Sequence, residues 1–262
     1  MISTAVELLL APALVAVSTI AARRFGERAG GVVSAFPAIV GPVLLIVALA
    51  HGAQFAATAA NGTLLGLVSL AAFALAYGRV AGRHGWQASL ILGWACAAVA
   101  GLAAGLAAGG TPAPAGLLAA ALSLAVAWWA LPAAASPASA TRGSMLARAA
   151  TAALLVALLA AADGAVGPLV GGMLAALPVL ACVLAVFTHR EQGAAAVIGL
   201  LRGMLAGMVA FVIFCQLIAM LIVPYGIAPA FAAATVVAGV VQALAVYSVH
   251  STLRSATDPS RS

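Results

Sequence analysis

No lysine occurs anywhere in the chain, and of its 262 residues only 5 are acidic and 6% are charged in all. An ordinary water-soluble domain carries about a quarter of its residues as charges, so this scarcity excludes one. Without lysine there is also no Gly-rich phosphate loop of the nucleotide-binding kind, which rules out an ATP-driven motor within the chain. The three cysteines, Cys96, Cys182 and Cys215, all lie in apolar runs, where they read as small apolar residues and not as a disulfide framework or zinc site. No HExxH, GxSxG or close pair of acids falls within one apolar run. An intramembrane hydrolase or transferase needs such groups at close quarters, so the expectation is no enzymatic activity, no metal and no cofactor.

What the chain has instead is 66% hydrophobic residues, arranged in runs of about 20, the length a helix needs to cross roughly 30 Å of hydrocarbon. In lipid every backbone amide has to be satisfied within its own segment, so runs this long mean helices. Nine spans are expected, at about 3–22, 31–50, 53–78, 87–108, 114–132, 147–162, 169–188, 196–222 and 227–249. The third and eighth are long enough to tilt or to extend into the interface. The first has no positive charge before it and arginines after it, the reverse of a secretory signal, so it is expected to remain as a helix.

All eleven cations are arginines, and with nine spans every one of them falls on the same side. Short arginine-rich loops are retained in the cytoplasm, which predicts an outside N-terminus and a cytoplasmic C-terminus in a cell (inner) membrane. The formal charge of +6 is thus a topology signal. The arginines form no aromatic-interleaved groove, so the lipid bilayer and not nucleic acid is the expected partner.

The stretch "GGVVSAFPAIVGPVLLIVALAHG" (30–52) is echoed 141 positions later by "GGMLAALPVLACVLAVFTHREQG" (171–193). At that one offset Gly26, Gly30, Gly31, Pro37, Gly52, Gly62 and Gly66 meet Gly167, Gly171, Gly172, Pro178, Gly193, Gly203 and Gly207. Glycines and prolines recur for backbone reasons, which chance similarity between apolar runs does not supply. The expected organisation is a first repeat at 1–108, a linking helix and cytoplasmic loop at 109–144, a second repeat at 145–250 and a tail at 251–262. Five crossings from copy to copy invert the second relative to the first, as in many secondary transporters. The fold class is therefore all-α: a polytopic transmembrane bundle of two inverted four-helix repeats joined by a linking helix.

The block "GGVVSAFP", the helix ending at "AHG", the following "NGTLLG" and the helix "WQASLILGWACAAVAG" resemble the small four-helix bacterial membrane proteins of the GlpM-like type. That resemblance covers about 1–108 and again 145–250, and this chain departs from it by being doubled with an extra helix. It implies a four-helix fold for each copy and a link to exopolysaccharide production. The small multidrug-resistance type offers a further analogy of antiparallel four-helix units, but its carboxylate motif is not present.

Among individual residues, Arg202 inside "AVIGLLRGMLAGM" is the leading site candidate, because an arginine in an apolar run marks a cavity or ion pair unless it snorkels to the interface. Its planar fork suits a carboxylate or phosphate. Asn61, its match in the repeat, and Glu7, the acid inside the first run, complete the expected solute-binding set. Pro37 and Pro178, each preceded by a glycine pair (Gly30, Gly31; Gly171, Gly172), are expected to kink or break their helices, leaving the carbonyls of Val33 and Leu174 in need of partners. Gly62 with Gly66 and Gly203 with Gly207 are expected to be close-packing faces, between repeats or between subunits of a homo-oligomer, with the third and eighth spans meeting there. The leading function is a small secondary transporter or exporter of a small solute, an anion where Arg202 does the binding; the alternative is a non-transporting scaffold or accessory subunit of an envelope polysaccharide system.

Overall fold

The computed structural model describes residues 16–37, 40–107, 113–133 and 178–257, together with residues 13, 150, 151 and 154. The described residues are all α-helix and connecting turns. The helices are α1 (16–25), α2 (Glu27–Ser34), α3 (Val40–His51), α4 (Ala53–Ala81), α5 (Trp86–Ala107), α6 (Ala113–Ala130), α7 (Val179–Gln192), α8 (Ala194–Tyr225) and α9 (Ile227–Thr257). Alanine and leucine, which lose little on entering a helix, dominate them. Four of them, α4, α5, α8 and α9, are long and apolar enough to cross a membrane. They coincide with the third, fourth, eighth and ninth expected spans, and α6 with the fifth. The sixth span and Glu7, Gly171 and Gly172 lie outside the described residues, apart from helical positions 150, 151 and 154.

The second expected span needs correction. In place of one helix over 31–50 there are two short ones, α2 ending at Ser34 and α3 beginning at Val40, with Pro37 in the bend between them. Proline has no N–H and its ring displaces the preceding turn, so the helix stops before it. The Val33 carbonyl finds its partner locally, accepting from the Phe36 N–H at 3.2 Å. Pro178 likewise precedes α7 as its N-terminal flanking residue and does not sit inside a helix.

A single glycine leads into each of the long helices α4 and α8. Gly52 links α3 to α4 with φ 88°, and Gly193 links α7 to α8 with φ 84°. With ψ at 169° and −175°, both links lie in a region that is essentially glycine's alone, where an L-residue would cost roughly 1–3 kcal/mol. The hydrogen bonds around the two links also match: Gly52 N–H to Ala48 and Ala56 N–H to Gly52, then Gly193 N–H to His189 and Val197 N–H to Gly193. Helix starts at 53 and 86 recur at 194 and 227, the same 141-residue step.

The two long helices α4 and α8 form the centre. Around α4 pack α3, α5, α6 and α8, and around α8 pack α2, α4, α6, α7 and α9. Leu64, Phe73, Tyr77, Leu200, Leu201 and Ile218 are fully buried between them and their neighbours. The outer faces of α5 and α9 remain apolar, with Ile91, Val99, Leu106, Val236, Val240 and Leu244 all exposed. A face of that kind is suited to hydrocarbon and not to water.

Candidate functional site

The junction of α2, α6 and α8 brings two arginines to one aromatic ring, and glycine makes it possible. A Cβ added at Gly31 would overlap the Leu200 carbonyl, and one at Gly203 would overlap the Arg28 carbonyl. At Gly207 it would lie 2.6 Å from Val32 O and 2.6 Å from Ala35 Cβ, and at Gly30 2.6 Å from Ala22 Cβ. The short helix α2 is therefore seated backbone to backbone on α8. This corrects the expected pairing of glycine faces: Gly203 and Gly207 receive α2, not α4. Gly62 and Gly66 meet nothing within 4 Å among the described residues.

Because Arg202 precedes Gly203, the same approach brings Arg28 beside it. Arg202 donates through Nε to Pro132 O at 2.8 Å and through Nη2 to Leu131 O at 2.7 Å, and Arg79 Nε donates to Ala130 O at 2.8 Å. Those carbonyls close the C-terminus of α6, where helix acceptors lack partners and the dipole favours cations. The Arg202 guanidinium also lies 5.4 Å from the Trp128 ring centroid, and that of Arg28 lies 5.7 Å from the same ring. Burial and then the charge of Arg202 hold the Arg28 pKa below the usual arginine value. Arg28 Nε is shielded from solvent and has no hydrogen-bond partner among the described residues.

Glu27 turns to a different set of groups. It is only 6% exposed and accepts from Gln192 Nε2 at 2.5 Å and from Thr188 Oγ1 at 3.4 Å. A carboxylate of α2 is thus held by side chains of α7. Alongside, the Tyr77 hydroxyl lies 3.2 Å from His189 Nδ1, and Trp94 Nε1 donates to Cys182 Sγ at 3.1 Å. On the far side of α2, Gln242 Nε2 donates to Val32 O, and Gln242 lines a largely apolar cavity of 460 Å³ with Phe25, Phe36 and Tyr247. Among the described residues no three His, Cys, Asp or Glu side chains are grouped as a metal site would require.

The structure does not bring Asn61 and Arg202 together. The Asn61 carbonyl lies by Gly116 near the start of α6, whereas Arg202 binds Leu131 beyond its end. Fifteen residues of rise put about 22 Å between those points. Asn61 Oδ1 is buried with no partner among the described residues. Glu27, Arg28 and Trp128 were not singled out by the sequence reading. Glu27 and Arg28 look like ordinary charges of a loop after the first span, and Trp128 like any apolar residue near a helix end. The available signal was rarity, since Glu27 is one of only 5 acids in the chain.

Residues 6–107 match the model of a family described as proteins of unknown function, DUF3147. The match is to that uncharacterised family and not to the GlpM-like type. No curated protein and no solved structure matches the chain.

Proposed function

We propose that the protein is a small multi-pass membrane protein of the cell membrane that transports a small solute by alternating access between two inverted repeats. The observation that carries this reading is the position of Asn61 and Arg202. Each is the ninth residue of its long helix, 141 apart in sequence, and they lie at opposite ends of α6. Equivalent positions at opposite ends of a shared helix are what inversion about an axis in the membrane plane produces. The matched glycine links and helix starts support duplication. Two equivalent halves allow two equivalent conformations, one open to each side, and the polar bridge from Glu27 to Thr188 and Gln192 lies between the halves. Buried ionisable groups in such a position mark a solute or proton path. Alternating access of this kind needs no cofactor and no enzymatic step.

Thr188 is fully buried in this conformation, which makes it the test. In a protein with Cys96, Cys182 and Cys215 replaced by serine, Thr188→Cys is exposed to a membrane-impermeant thiol reagent from each side. Alternating access predicts slow but complete labelling, because the interface between repeats opens to water in one state. Complete protection from both sides in folded protein would overturn transport in favour of the scaffold or accessory-subunit reading, to which the close-packed glycines of α2 and α8 are equally suited.

A further inference from the structure

We propose that Arg28 and Arg202, together with the Trp128 ring between helices α2, α6 and α8, bind a phosphate-bearing anion. Two guanidiniums stand within 6 Å of one ring. Like charges held this close repel, the more so when partly withdrawn from water. Neither has an ion-pair partner among the described residues, and the neighbouring carboxylate, Glu27, faces Thr188 and Gln192 instead. Arg202 and Arg79 have a structural duty at the end of α6, which accounts for their presence without any ligand. Arg28 has none. It meets a π-face, and its shielded Nε lacks an acceptor.

An oxyanion supplies both things the cluster lacks, countercharge and acceptors. Phosphate fits better than carboxylate, because its several oxygens can accept from Arg28 and from the N–H groups that Arg202 does not give to α6, and its charge approaches theirs. Trp128 adds a rigid apolar wall that fixes the two cations over its faces or edge and keeps competing water away. Phosphate of this kind comes from two sources, the headgroup of an anionic lipid or a soluble phosphate. Basic pockets between membrane helices are suited to the first and transport sites to the second. The inference stands on the packing of three helices and holds for a transporter and a scaffold alike, so its failure and the failure of Thr188→Cys labelling are separate results.

The test titrates the purified full chain in a neutral detergent with short-chain phosphatidylglycerol in one arm and inorganic phosphate in the other, following the thermal unfolding midpoint. A saturable rise is expected in one arm, and that arm identifies the source. Losing one charge-assisted contact costs about tenfold or more in affinity, so Arg28→Gln should raise the apparent Kd by at least about tenfold. Arg28→Lys keeps the charge without the fork, serves if Arg28→Gln does not fold, and should fall between the two. No saturable rise in either arm, or wild-type affinity in both variants, would overturn the proposal.

Discussion

Gly203 has room above it for one thing, the carbonyl of Arg28, and this sets the scale of what a single methyl group can do here. Gly203→Ala forces α2 off α8 and should lower stability by about 1–3 kcal/mol, the usual cost of overpacking. Gly105 in α5, which meets nothing within 4 Å among the described residues, is the control. Gly105→Ala should be neutral or stabilising by up to about 1 kcal/mol, since alanine is the better helix former. Thermal melts of the two variants beside the parent would separate packing from propensity. Glu27→Ala strands the Gln192 amide and should cost about 1–3 kcal/mol, with Glu27→Gln recovering part of the loss. The sequence marks Gly203 and Gly207 as a close-packing face, because glycines four apart share one side of a helix. It does not name the occupant, because that depends on where a helix some 170 residues earlier in the chain comes to rest. Arg202 was legible as unusual for the same local reason, whereas Arg28 became visible only beside it.

Helices carry the next level of information. The four long ones are legible because an uninterrupted apolar run of their length has few other options in lipid. The broken second span was misread because proline inside a membrane helix is often tolerated as a kink, with neighbouring groups satisfying the freed carbonyl. Here Val33 finds its donor in Phe36, so the chain closes a turn and starts again at Val40. The single-residue links are equally local. Gly52→Ala and Gly193→Ala should each cost roughly 1–3 kcal/mol for holding an L-residue at positive φ with ψ near 180°. Comparable losses at both, measured as shifts in the thermal midpoint, are expected from links of the same geometry. A loss at only one would mean that the two turns are not equivalent in the folded protein.

For the whole molecule the central question is orientation. Gln54 and Ala195 are both exposed, each two residues beyond its glycine link, and they stand 141 apart. Inverted repeats place them on opposite faces of the membrane. Gln54→Cys should react with an impermeant thiol reagent from outside and Ala195→Cys from the cytoplasmic side, in the cysteine-free protein. Labelling of both from one side would rule out inversion. The 141-residue step was legible, since glycines and prolines recur at it, and the helix starts at 53 and 86 return at 194 and 227. The α2–α6–α8 cluster was not, because it joins residues near positions 28, 128 and 202, and no spacing rule connects them.

The seating of α2 on α8 also has a bearing on how the protein is made. At 8 residues α2 is about 12 Å long and α3, at 12 residues, about 18 Å. Neither covers the roughly 30 Å of a bilayer core on its own. The carbonyls and glycines that hold α2 in place belong to a helix synthesised about 170 residues later, and at 5–20 residues per second that is a wait of roughly 10–35 s. For that interval the first half of the chain stands at the membrane without its closing partner. A nascent chain halted before residue 200 should therefore be far more open to insertion factors and to proteolysis around 26–40 than one released at full length.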